Sequence, residues 1–167
     1  THVVRCAEGR KPLMRPTRGK YHYFFGDDFL VAPIYEDSLT RTVELPKGRW
    51  RYCFDDDLVF EGPRRITREF SLEEFPVFVR EGAIIPLSVS RPYTGFGDAS
   101  SAGFLTYVIY PSMKNTFVVT HPDHSGETSL IVEDGKTLRL NFSGVHKPHI
   151  LIIKQSTSPK GVELDGL

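Results

Sequence analysis

The sequence has no surplus of either charge: 21 lysines and arginines stand against 21 aspartates and glutamates. That balance sets up no field to recruit nucleic acid, an anionic membrane or an acidic polymer. Basic runs such as Gly62-Pro63-Arg64-Arg65 are brief and read as the solvated face of a strand. Cysteine is nearly missing. Cys6 and Cys53 make no disulfide framework and assign no redox compartment, and Cys53 in RWRYCF suits a small buried thiol on a strand. No apolar run approaches the roughly 20 residues that span a bilayer. The opening THVVRCAEGRK lacks the apolar region of a signal peptide. It begins on Thr1, as a processed protein or a piece of a longer one would. No long amphipathic helix can be found. The one helical signal is Ser71-Leu72-Glu73-Glu74, a capping-box spacing good for a single turn before Pro76. Nucleophile elbows, phosphate-binding glycine loops and metallopeptidase helices are missing too. Gly95-Phe96-Gly97 is too short for a dinucleotide fingerprint and has no helix after it.

What remains is ordinary globular material. Forty per cent hydrophobic and 25% charged residues over 167 positions allow a sizeable core, in one domain or two small ones. Short apolar-alternating runs are broken by Gly, Pro and Asp every 8 or so residues (roughly the spacing of an all-β sandwich). In KTLRLNFS, residues 136–143, Leu138, Leu140 and Phe142 point one way while Thr137, Arg139 and Asn141 point the other. Asp134-Gly135 just before it favours a two-residue type I′ turn, so residues 129–133 and 136–143 are expected to form a hairpin. A second pair is expected between 41–45 and 49–54 across Pro46-Lys47-Gly48. Residues 75–79 and 150–153 are apolar on both faces, as central strands would be. Residues 88–103 are rich in Ser, Gly and Pro. The expected fold is therefore all-β, two small antiparallel β-sandwich-type domains with little helix. Residues 13–90 make the first, 91–103 a linker or long loop, and 104–167 the second.

The candidate chemistry is thin. Asp27-Asp28 could suggest a carboxylate pair, but neighbours on a strand face opposite ways, and Gly26 before them makes a turn the better reading. Asp55-Asp56-Asp57 lacks the spacing, glycine and terminal glutamate of a calcium loop, and suits a hairpin tip. His121-Pro122-Asp123-His124 and His146-Lys147-Pro148-His149 are interrupted by proline and have no paired cysteines, so surface-loop histidines are expected and no metal site. Trp50, Tyr52 and Phe54 share one strand face, commonly an inner face but also a possible floor for a sugar ring. Trp50, with Tyr93 and Phe96 of the Ser/Gly/Pro stretch, is the candidate set for sugar stacking.

Four blocks in order carry a resemblance: PLMRP at 12–16, FGDDFLVAPIY at 25–35, VELPKGRWRY at 43–52 and FPVFVREGAIIPL at 75–87. They resemble the region just past the catalytic barrel in glycoside hydrolase family 31, where GDDLLVAP, LPxGxW and PVFVRAGAIIP segments build the proximal C-terminal sandwich. GFLTYVIYP from Gly103 and HPDHSGET from His121 more loosely resemble the family's distal β-domain. The resemblance implies that residues 1–12 lead in from a barrel absent from this chain. It also implies that Asp27 and Asp28 are not the catalytic pair, since the family's aspartates lie on the barrel in motifs such as WxDMNE that have no counterpart here. No catalytic residue, cofactor or metal ligand carries over. The implied partner is the barrel, reached through an apolar surface for which 75–79, Leu13-Met14 and Val31-Ala32-Pro33-Ile34 are the candidates, with self-association of the isolated chain as a corollary. The alternative is a stand-alone module that binds oligosaccharide through exposed aromatics, Tyr107 and Tyr110 included.

Overall fold

The computed structural model describes residues 14–16, 21–71, 73–74, 76–88, 103–121, 123–155 and 157–164. These residues hold strands, turns and bends and no helix, as the alternation predicts. Strands β1 (Met14–Pro16), β2 (Tyr23–Phe25), β3 (Phe29–Val31), β4 (Thr40–Tyr52), β5 (Asp55–Glu69) and β6 (Val77–Arg80) form one sheet in the order β1-β2-β3-β6-β4-β5. Its register sets Leu30 opposite Phe78 and Arg51 opposite Val79. β6 is therefore the central strand that its two apolar faces demand.

The pair expected across Pro46-Lys47-Gly48 is not there. Residues 41–45 and 49–52 are successive parts of the 13-residue β4, whose partner is the 15-residue β5. Proline usually ends a strand because it cannot donate to the ladder. Here Leu45 pairs with Arg64 and Gly48 with Gly62, so Pro46 and Lys47 stand opposite Pro63 alone. That two-against-one bulge asks no hydrogen bond of either proline. The true hairpin turn is Cys53-Phe54, and Asp55–Asp57 begin β5. The bulge also bends the hairpin. Val43, Leu45 and Ile66 beyond it join Leu30, Trp50, Tyr52, Phe70 and Phe78 in one buried cluster. Gly62 has to be glycine at this crossing, because a Cβ there would overlap the Pro46 carbonyl.

A turn at Glu81-Gly82 hands the chain to the second half. β7 (Ile84–Ser88) pairs antiparallel with β8 (Leu105–Ile109), and β12 (His149–Ile153) adds to β8 in parallel. This three-stranded sheet faces a second one, order β11-β10-β9, built from β9 (Lys114–Thr120), β10 (Glu127–Asp134) and β11 (Leu138–Gly144). Ile84, Tyr107 and Ile109 meet Val119, Leu130 and Val132 between the sheets, with Leu138, Leu140 and Phe142 packed against them as their alternation predicts. The hairpin at 134–135 forms with a different turn. Asp134 pairs with Leu138, so residues 135–137 make a three-residue connection, and Gly135 does not take the positive φ that a type I′ turn requires.

β12 also differs from expectation, being an edge strand rather than a central one. Its two apolar faces have another cause: Ile152 packs on a cluster of Val79, Ala83, Val108 and Tyr110 that joins the two halves, while His149 turns into the sandwich. Around that cluster the Gly82 N–H reaches the Tyr110 carbonyl at 2.7 Å, and Lys154 reaches Asp56 at 2.7 Å. Glu73 lies in a turn, and the Glu74 N–H goes to the Ser71 carbonyl rather than to the side-chain oxygen a capping box would use. The Glu73 N–H donates to Ser71 Oγ, while the Glu74 carboxylate takes the Tyr52 hydroxyl at 2.5 Å.

Candidate functional site

Catalysis by paired carboxylates needs two of them converging on one space. The structure puts Asp27 and Asp28 in the turn between β2 and β3, begun by Gly26 at φ 68°. The Asp28 carbonyl accepts the Arg80 N–H at 2.8 Å. Its carboxyl is held above the ordinary range by burial, against the pull of Arg80. Asp55, Asp56 and Asp57 are exposed, and they are used locally: Asp55 Oδ1 accepts the Asp57 N–H, and Asp56 pairs with Lys154. Among the described residues no three metal-ligating side chains converge.

Of the stacking candidates, Trp50 is wholly buried. Its indole N–H donates to the Pro46 carbonyl at 2.9 Å, Phe24 lies tilted against it at 5.9 Å, and the Arg80 guanidinium covers it at 5.1 Å. No face of that ring is open to a sugar. Tyr107 and Tyr110 are buried as well, and burial pushes the Tyr107 phenol up to about 12. Tyr93 and Phe96 lie outside the described residues. Parts of the expected apolar docking strips also turn inward. Phe78 and Val79 of β6 and Ala32 are at most 1% exposed, Val31 is buried, and Leu13 lies outside the described residues. Central sheet position accounts for this: β6 is flanked by β3 and β4 and covered on both faces by the chain's own clusters.

An exposed aromatic pair lies instead where sequence reasoning did not look. Tyr21 is 62% exposed and Leu39 is 44% exposed, and Tyr35 meets Tyr21 edge-on with ring centroids 4.4 Å apart. Arg41 lies over Tyr35 at 4.2 Å. The Tyr21 and Tyr35 planes stand at 64°, so they do not form the flat platform on which sugars stack. Both tyrosines flank the β2–β3 hairpin, outside any alternating run, and that was the available signal. His22, next to Tyr21 in the chain, is buried with neither ring nitrogen in a hydrogen bond to a side chain. Burial and then Arg41 lower its pKa, opposed by Glu44 and the Thr42 backbone.

The structure also holds a buried ion pair. Arg51 Nε lies 2.7 Å from Glu81 Oε1, with both side chains under 10% exposed, and Arg51 also donates to the Asp56 carbonyl. The pair ties the β4–β5 hairpin to the β6–β7 turn, where the two halves meet. The histidine pairs divide. His124 and His146 are exposed as expected, but His121 is buried and His149 half-buried, because both turn into the second sandwich.

Comparison with known proteins adds the rest. Residues 12–85 match the family described as Glycosyl hydrolase family 31 C-terminal domain. The chain is 29% identical over 144 residues to alpha-glucosidase 2 of Bacillus thermoamyloliquefaciens, covering 74% of this chain and 18% of that protein. It is 28% identical over 153 residues to an isomaltosyltransferase of Sporosarcina globispora, covering 86% of this chain and 14% of that one. In fold it resembles a dextranase of Flavobacterium johnsoniae solved with glucose, at a TM-score of 0.66, 24% identity, 83% of this chain and 20% of that chain. The chain thus spans less than a fifth of the curated relatives it matches.

Proposed function

We propose that this chain, whose residues 12–85 match the family described as Glycosyl hydrolase family 31 C-terminal domain, is the accessory β region of a longer enzyme acting on α-glycosidic bonds. The carrying observation is that match, together with relatives several times longer that are named alpha-glucosidase and isomaltosyltransferase. The chain itself is a non-catalytic C-terminal region. Its described residues contain no helix from which an α/β barrel could be built, and its adjacent aspartates belong to turns and surface pairs.

Its work is to brace the catalytic part. The β4–β5 hairpin and the Arg51–Glu81 pair tie the block together, and Tyr21 and Tyr35 give it an exposed aromatic face. Sequencing upstream of the Thr1 codon tests the reading. An open frame carrying a barrel with a WxDMNE-like aspartate is expected, and a start codon close to Thr1 would overturn it. In that second case titration with malto- and xylo-oligosaccharides becomes the decisive assay, and saturable NMR shifts of surface aromatics would point to a sugar-binding module.

The isolated chain is expected to self-associate through the same face. Replacing Tyr21 and Tyr35 together with serine should move it to the monomer position in size-exclusion chromatography, with little change in melting temperature. A wild-type chain already monomeric at high concentration would remove this face from consideration.

A further inference from the structure

His149 opens β12, yet its ring belongs to both sheets of the second sandwich. It lies nearly flat against Phe142 of β11, with centroids 5.4 Å apart and planes 17° apart, and edge-on to Tyr107 of β8 at 5.3 Å and 71°. His121, one residue past β9, runs parallel to it at 6.3 Å and 10°. His149 Nδ1 is buried without a hydrogen-bond partner, and so is the Tyr107 hydroxyl.

His121 is better provided for. The Thr128 hydroxyl gives its one proton to the Val145 carbonyl at 2.7 Å, so at 2.7 Å from His121 Nε2 it can only accept. His121 is thereby fixed with its proton on Nε2. The titratable and charged groups around His149 are Tyr107 from β8, His121 at the end of β9, and Lys147 from the segment leading into β12. Phe142 of β11 and Thr128 of β10 bring no charge. Lys147 has its own counter-ion in Asp123 at 2.5 Å, and no carboxylate acts on His149.

We propose that this imidazole stack is an acid-sensitive latch: protonation of His149 loosens β12 from the facing sheet and weakens the contact β12 makes with the other half of the chain. The imidazolium takes its proton from water and then has two N–H donors. The buried Nδ1 would meet no acceptor, and the charge of Lys147 acting on the ring is of like sign. Burial lowers the His149 pKa, and His121 and Lys147 lower it further. The sign follows. The packed state favours the neutral ring, so the opened state binds the proton first, and stability present above about pH 6.5 is lost as pH falls below it. The consequence reaches the junction because Ile152 of β12 packs on the cluster shared by the halves, and Lys154 beyond it pairs with Asp56.

Hydrogen exchange on the whole chain tests this through the protection factors of the β12 amides. From about pH 7.5 to about pH 5 they are expected to fall about tenfold in the wild type and to hold level in His149→Phe, which keeps the stack but takes no proton. An equal fall in both would overturn the latch. Reading β12 alone also separates it from His22, which is buried in the other half. If His149→Phe does not fold, an NMR titration of wild-type His149 decides. A midpoint below that of an ordinary histidine, moving with the β12 amides, upholds the proposal, and a midpoint at or above it rejects it.

Discussion

Glu81→Ala is expected to cost about 3–5 kcal/mol of folding stability, a large part of the roughly 5–15 kcal/mol a domain possesses. Glu81 and Arg51 are both almost fully withdrawn from water and sit 2.7 Å apart. Removing the carboxylate leaves a guanidinium that cannot lose its proton and retains only the Asp56 carbonyl as a named partner. The penalty is that of the uncompensated charge and is larger than the pair's own net worth. The double variant Arg51→Met with Glu81→Leu should therefore recover most of the loss, since apolar side chains of similar volume replace a buried pair at little cost. Urea denaturation of the two variants gives the comparison. A double variant as unstable as Glu81→Ala would mean that the pair's hydrogen bonds hold the junction and that charge is secondary.

Trp50→Ala should lose a comparable amount, about 3–5 kcal/mol, from the largest wholly buried side chain in the first half. Trp50 is the sole tryptophan, so the wild type should emit as a buried indole and shift to the red on unfolding. Trp50→Phe isolates the indole N–H: it keeps an aromatic ring while leaving the Pro46 carbonyl without its donor, and should cost about 1–3 kcal/mol. If Trp50→Ala unfolds at the wild-type urea midpoint, the bent hairpin is held by something other than this side chain.

The residues differ in how openly they announce these roles. The period-two pattern of Leu138, Leu140 and Phe142 was legible because the face of an antiparallel strand is written in its own sequence. β6 was legible for a related reason: a run apolar on both faces suits a strand with neighbours on either side. The same rule misread β12, where one apolar face is spent on the other half of the chain, a contact with no local signature. Pro46-Lys47-Gly48 looked like a turn because bulges are recognised only once the partner strand, here with Pro63 opposite, is known. Exposure was the least legible. Whether an aromatic is floor, wall or surface depends on what folds over it, so Trp50 was weighed as a sugar platform while Tyr21 and Tyr35 passed unremarked.

The pairing of β7 with β8 has a consequence for how the chain would tolerate insertion. Ser88 lies opposite Leu105, so the two ends of the intervening segment are pinned side by side whatever its length. Each doubling of such a segment costs only about 0.6 kcal/mol in closure entropy. Insertions between those strands can therefore be accepted without disturbing the relation of one half to the other. A nick within this stretch should leave a single particle on a native gel.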